Sequence, residues 1–176
     1  MTYRHLFSVT ISTLLLLAVS AANAGFIGNT IQGDAYFPTL GTPTTTAGPV
    51  QRVVGGGIEF VDGDFGAFFG PSFDFADTSI TITHAQTGHS SGTFNGYEFS
   101  DALDSILPII GVSIASDSTG FFSGDPGRVF FTENSIFVNF ESLGFGGQND
   151  PRVVLDVRFG TAAVPEPLSS LLLGAG

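Results

Sequence analysis

Two histidines and several carboxylates carry most of the chemistry this sequence offers. His84 and His89 lie five residues apart across a glycine-containing turn, and as metal ligands or triad members they need a third group. His84 continues the alternation of Ile80 and Ile82, which places it at a strand end on the rim of a core. Glu59, Glu98 and Asp156 fall inside strand-like segments. Glycoside hydrolysis needs two carboxyl groups about 5–10 Å apart across a cleft. The outward face of an alternating strand is also the ordinary place for a carboxylate, so no catalytic residue is assigned and the chain is read as a non-enzyme. Asp62-Gly63-Asp64 sets hard oxygens on one turn, which makes Asp62 and Asp64 candidate ligands for calcium. Phe65-Gly66 interrupts an EF-hand loop, and Asp-Gly-Asp is equally ordinary turn chemistry. Cysteine is absent, and there is no Gly-x-Ser-x-Gly elbow. Gly55-Gly56-Gly57 has neither the lysine nor the following helix of a phosphate cradle, and reads as a bulge or tight bend.

Charge narrows the partners. Five basic residues face sixteen acidic ones, a net charge of −11, and none of the five is lysine. Such a surface repels phosphate backbones, which excludes nucleic acid as a partner. With no cysteine there is no disulfide framework, so the core must come from β-branched residues and from 19 phenylalanines, all but Phe7 lying beyond residue 24.

The elements that position these residues follow a period of two. In Arg152–Phe159, Val153, Leu155, Val157 and Phe159 share one face while Arg152, Asp156 and Arg158 take the other. Ser135–Phe140 and Ser79–Thr83 alternate in the same way. Further strands are expected at Asn29–Phe37, Val50–Val54, Ile58–Val61, Gly66–Phe69, Phe73–Phe75, Thr93–Phe99, Ile109–Ile114 and Arg128–Thr132. Glycine, proline, asparagine and aspartate separate them, as in Gly70-Pro71 and Asp125-Pro126-Gly127. Many short strands with regular turns predict an all-β fold, an antiparallel β-sandwich or jelly-roll-like single domain over residues 25–163. Thr39–Pro49 reads as a surface loop, and Asp101–Leu107, after Ser100 as N-cap, as the single helical turn.

Both ends differ from this body. Residues 1–24 have the layout of a secretory signal peptide: Arg4 and His5, an apolar stretch from Leu6 to Val19, then the small-x-small Ala22-Asn23-Ala24. Cleavage is expected between Ala24 and Gly25, which makes signal peptidase a partner during export. At the other end stands Val164-Pro165-Glu166-Pro167, followed by Leu168-Ser169-Ser170-Leu171-Leu172-Leu173-Gly174. Two prolines bar this segment from an inner strand and leave it extended and accessible.

Together these features closely resemble the PEP-CTERM sorting proteins of Gram-negative bacteria. The resemblance implies that residues 164–176 are a sorting signal, with Pro165, Glu166 and Pro167 at its centre and Val164 before them. It also implies recognition and cleavage by an integral-membrane exosortase, transient membrane anchoring, and association with exopolysaccharide. In that family a transmembrane helix and an arginine-rich end follow the signal. Here Leu168–Gly176 would reach only about 14 Å as a helix against a hydrocarbon core of about 30 Å. Two readings follow, an anchor that continues past Gly176 or a degenerate signal on a simply secreted protein, and the first is favoured. The segments Phe94–Asp101, Gly111–Ile114, Ser135–Asn139 and Val154–Val157 resemble parts of PEP-CTERM proteins of unassigned activity; they support the sandwich and supply no chemistry.

The expectation is therefore an exported, non-enzymatic cell-surface or extracellular-matrix protein. A carbohydrate-binding module of the same fold is the alternative. Sugar platforms favour exposed tryptophan or tyrosine, and beyond residue 24 the chain offers no tryptophan and only Tyr36 and Tyr97. A polysaccharide-processing hydrolase ranks below both.

Overall fold

The structure, a computed structural model, describes residues 22–44, 48–66, 70–85 and 87–161. The ten strands are β1 (Thr30–Tyr36), β2 (Val50–Val53), β3 (Ile58–Phe60), β4 (Ser72–Phe75), β5 (Ser79–Thr83), β6 (Gly96–Asp101), β7 (Ile109–Asp117), β8 (Val129–Phe131), β9 (Ser135–Asn139) and β10 (Arg152–Phe159). They form two five-stranded sheets, β2-β1-β6-β9-β8 and β3-β4-β5-β10-β7, with every pairing antiparallel. The chain lays down β1 and β2 in one sheet and β3 to β5 in the other. It then returns to set β6 beside β1, and later inserts β10 between β5 and β7. This is the expected antiparallel sandwich.

The alternating side chains explain why the two layers adhere. Ile80, Ile82, Val153, Leu155 and Val157 line the inner face of one sheet; Ile31, Tyr97, Phe99, Ile136 and Val138 line the other. At the centre the Phe99 ring meets Phe73, Phe75 and Phe60 at centroid distances of 4.5, 5.2 and 5.3 Å. Edge-to-face aromatic pairs each contribute about 0.5–1.5 kcal/mol beyond burial, which is how a domain without disulfides fills its interior. Gly33 on β1 has no room for a side chain, because a Cβ there would lie 2.9 Å from the Phe60 ring and 3.0 Å from that of Phe65.

Two local expectations change. Asp101–Leu107 is not helical. Asp101 closes β6, and its carboxylate accepts hydrogen bonds from the Leu103 and Ile106 amides and from the Ser105 hydroxyl, so this sequence folds as an aspartate-stabilised loop. The one α-helical turn of the described residues is α1 (Phe121–Gly124), which carries Phe122, fully buried, into the core. Gly66 ends a 3-10 turn, Asp62–Phe65, in the left-handed conformation, and residues 67–69 of the strand expected there lie outside the described residues. Gly55-Gly56-Gly57 forms the expected bend between β2 and β3, with Gly57 at φ 132°.

Candidate functional site

His84 and His89 meet each other. His84 directly follows β5 and is 5% exposed, and the Nε2 atoms of His84 and His89 lie 2.5 Å apart. His84 Nδ1 is also 2.5 Å from the Ala85 carbonyl, which can only accept. Nδ1–H of His84 is therefore the donor there, and one proton lies between the two Nε2 atoms. Each ring is stacked on a phenylalanine: His84 on Phe145 at 4.0 Å and His89 on Phe140 at 5.0 Å. Burial first, then the neighbouring His84, lowers the His89 pKa to about 4, against a smaller upward effect of Asn95. The pair is a clasp between the end of β5 and the Leu143–Phe145 loop, whose Leu143 carbonyl accepts from the His89 amide at 2.8 Å. Among the described residues no three His, Asp or Glu groups gather to hold a metal ion.

The acidic candidates are distributed rather than convergent. Glu59 is 9% exposed, and its carboxylate accepts from the Gly55 amide at 2.9 Å and the Phe75 amide at 2.8 Å, tying the glycine bend to β4. Asp64 accepts from the Val61 amide at 3.0 Å and from Arg52 at 2.6 Å, so its cationic neighbour is a guanidinium. Asp62 opens the same 3-10 turn, and its side chain lies outside what is described. Asp156 stands exposed on the outer face of β10, opposite Ser79 and Ser113.

Glu98 has a different setting, on the outer face of the first sheet. Register sets Asp34, Glu98, Phe137 and Phe130 in one row across β1, β6, β9 and β8. Directly opposite residues bring their Cβ atoms to about 5 Å, so Asp34 and Glu98 stand side by side on this face. Both already accept hydrogen bonds from the protein. Gln32 donates to Asp34 at 3.0 Å, and Gln51 to Gln32 at 3.1 Å. Ser135 donates to Glu98 at 2.8 Å, and the Tyr36 hydroxyl donates to it as well. Burial, together with Asp34 and Glu98, pushes the Tyr36 hydroxyl up to about 12, so it remains a donor. Beside the carboxylates, Phe130 lies parallel on Phe137 at 4.8 Å and is 37% exposed, with Phe94 edge-on at 6.3 Å.

Sequence reasoning missed this row, since it depends on the pairing of distant strands. It also left Tyr97 open as a sugar contact. Tyr97 shares a face with Phe99, and the structure places it in the core, 5% exposed, against Phe65 and Phe73. That signal was available in the i, i+2 spacing.

Of the expected processing sites, Val164, Pro165, Glu166 and Pro167 lie outside the described residues. Ala22, Ala24 and Gly25 lie within them. Asn23, between the alanines, pairs with the Ser105–Leu107 loop through Asn23 N to Ser105 O at 3.0 Å and Leu107 N to Asn23 O at 2.8 Å. Gly25 is buried against Asp77. No helix of the described residues is long and apolar enough to cross a membrane. Comparison with protein-family models, with curated proteins and with solved structures finds no match to this chain.

Proposed function

We propose that this chain is an exported, non-enzymatic protein of a Gram-negative cell surface or extracellular matrix, sorted through its Pro-Glu-Pro signal and associated with exopolysaccharide. The side chains capable of chemistry support this reading by what they already do. The histidines clasp each other, Glu59 caps two amides, and Asp64 holds Arg52. These are structural duties.

The carbohydrate-binding alternative gains from one observation, the row Asp34–Glu98–Phe137–Phe130 with Gln32 and Gln51 beside it. Carboxylate and amide groups next to an exposed ring combine hydrogen-bonding partners for sugar hydroxyls with an apolar surface for a sugar face. On this reading the outer face of the first sheet is where the polysaccharide is met. Co-sedimentation of the purified protein with exopolysaccharide from the producing bacterium tests it. Retention should fall at least tenfold in Phe130→Ala and in a Gln32→Ala/Gln51→Ala double variant. Equal retention of the variants would remove this face from the account, and no retention of the unaltered protein would remove the polysaccharide.

A further inference from the structure

The predicted first residue of the exported chain occupies a tight place. Gly25 is buried while Asn23 and Ala24 before it are exposed. A Cβ built on Gly25 would lie 2.6 Å from Asp77 Cγ and 3.0 Å from the Asp77 carbonyl oxygen, and would collide harder still with Asp77 Oδ1. A backbone nitrogen is only about 2.5 Å from its own Cβ, so the Gly25 nitrogen lies within about 5 Å of the Asp77 carboxyl carbon. The surrounding backbone is pinned. Phe26 N donates to Asp77 O at 2.9 Å, and Asn29 Nδ2 donates to Gly25 O at 2.8 Å. The Phe26 ring is wedged between Phe75 at 5.2 Å and Phe159 at 5.1 Å.

We propose that cleavage between Ala24 and Gly25 creates an α-ammonium that pairs with the Asp77 carboxylate, so that processing itself completes the N-terminal anchor of the domain. The inference rests on the cleavage reading above. In the precursor the same nitrogen is a neutral peptide amide and cannot form the ion pair. Cleavage removes the two backbone hydrogen bonds of Asn23 to the Ser105–Leu107 loop and supplies a charge pair at the turn between β4 and β5 in exchange. Opposite charges within about 4–6 Å favour each other's charged forms. Among the other charged groups on this side, Asp156 and Arg158 of β10 border a hollow shared with Ala24 and are opposite in sign, and Asp101 is engaged by the Ser105 hydroxyl and the Ile106 amide. A side chain at this position would push the Asp77 carboxylate aside.

The sequence makes the test clean. None of its 176 residues is lysine, so within them the α-amine is the one group open to amine acylation. The gene is expressed with its own leader, and the N-terminus of the exported product is read by mass spectrometry. The rate of acylation against pH then gives the α-amine pKa in the unaltered protein and in Asp77→Asn, an isosteric change at an exposed side chain. With Gly25 first, the pKa should be higher by half a unit or more when Asp77 is present, and the difference should vanish in about 1 M salt. Equal values in the two proteins would overturn the ion pair and leave the cleavage reading intact. An N-terminus other than Gly25 would overturn both.

Discussion

The imidazoles of His84 and His89 are joined Nε2 to Nε2 at 2.5 Å, and Phe145 and Phe140 cover them. One shared proton holds the end of β5 to the loop that closes this end of the sandwich. Burial of the pair disfavours a charge on His89.

Acid should therefore loosen the domain before its carboxylates titrate. An unfolded histidine takes a proton near pH 6.5, whereas folded His89 does so only near 4. Between those values the unfolded chain binds more protons, so stability falls as the pH drops. The loss between about pH 7.5 and pH 5 should be about 2 kcal/mol. Urea unfolding at the two pH values measures it, and His89→Gln should remove most of the difference. A pH dependence unchanged by that substitution would contradict the clasp.

Asp117 should matter more than its position at a strand end indicates. Its carboxylate accepts from the amides of Thr119, Gly120, Phe122 and Ser123 and from the Thr119 hydroxyl. Burial raises its pKa, but the hydrogen bonds of Thr119, Ser123 and Phe122 outweigh that and hold it below the usual range. This stabilisation is present above about pH 4 and is lost as the pH falls through the lowered value. Asp117→Ala should cost about 2–3 kcal/mol in denaturant unfolding, because the amides that place Phe122 in the core lose their acceptor. A change under about 0.5 kcal/mol would show that the turn forms without it.

Gly33 should resist enlargement. Gly33→Ala pushes a methyl against the Phe60 and Phe65 rings and should cost about 1–3 kcal/mol. Phe65→Leu in the same chain should recover part of that loss, a coupling that a double-mutant cycle reads directly.

Calcium at the Asp62–Asp64 turn would have to displace Arg52 from Asp64. In the unaltered protein, millimolar calcium or a chelator should leave Tm unchanged, and Arg52→Gln should create whatever response there is. A native-state ligand must stabilise, so a rise of several degrees in the unaltered protein would show that the ion outcompetes the guanidinium.

Periodicity made the sandwich legible. Arg152–Phe159 and Ser79–Thr83 are strands over the ranges their alternation predicts, because each buries one complete face. Asp101–Leu107 misled because Ser100 and Asp101 favour a helix cap and a side-chain-stabilised loop alike. Only the supply of amide donors from Leu103 and Ile106 separates the two. The histidine clasp was half legible: the spacing of His84 and His89 showed a shared turn but not which atoms meet. The Asp34–Glu98–Phe137–Phe130 row was hidden, since register between β1, β6, β9 and β8 is set by the inward faces of all four strands.

Export underlies the proposed function. Fractionating cells that carry the intact gene, with the N-terminus of the recovered protein determined, tests it most directly. Protein in the envelope or the medium, beginning at Gly25, is the expected result. Protein confined to the cytoplasm with Met1 to Ala24 still attached would contradict it.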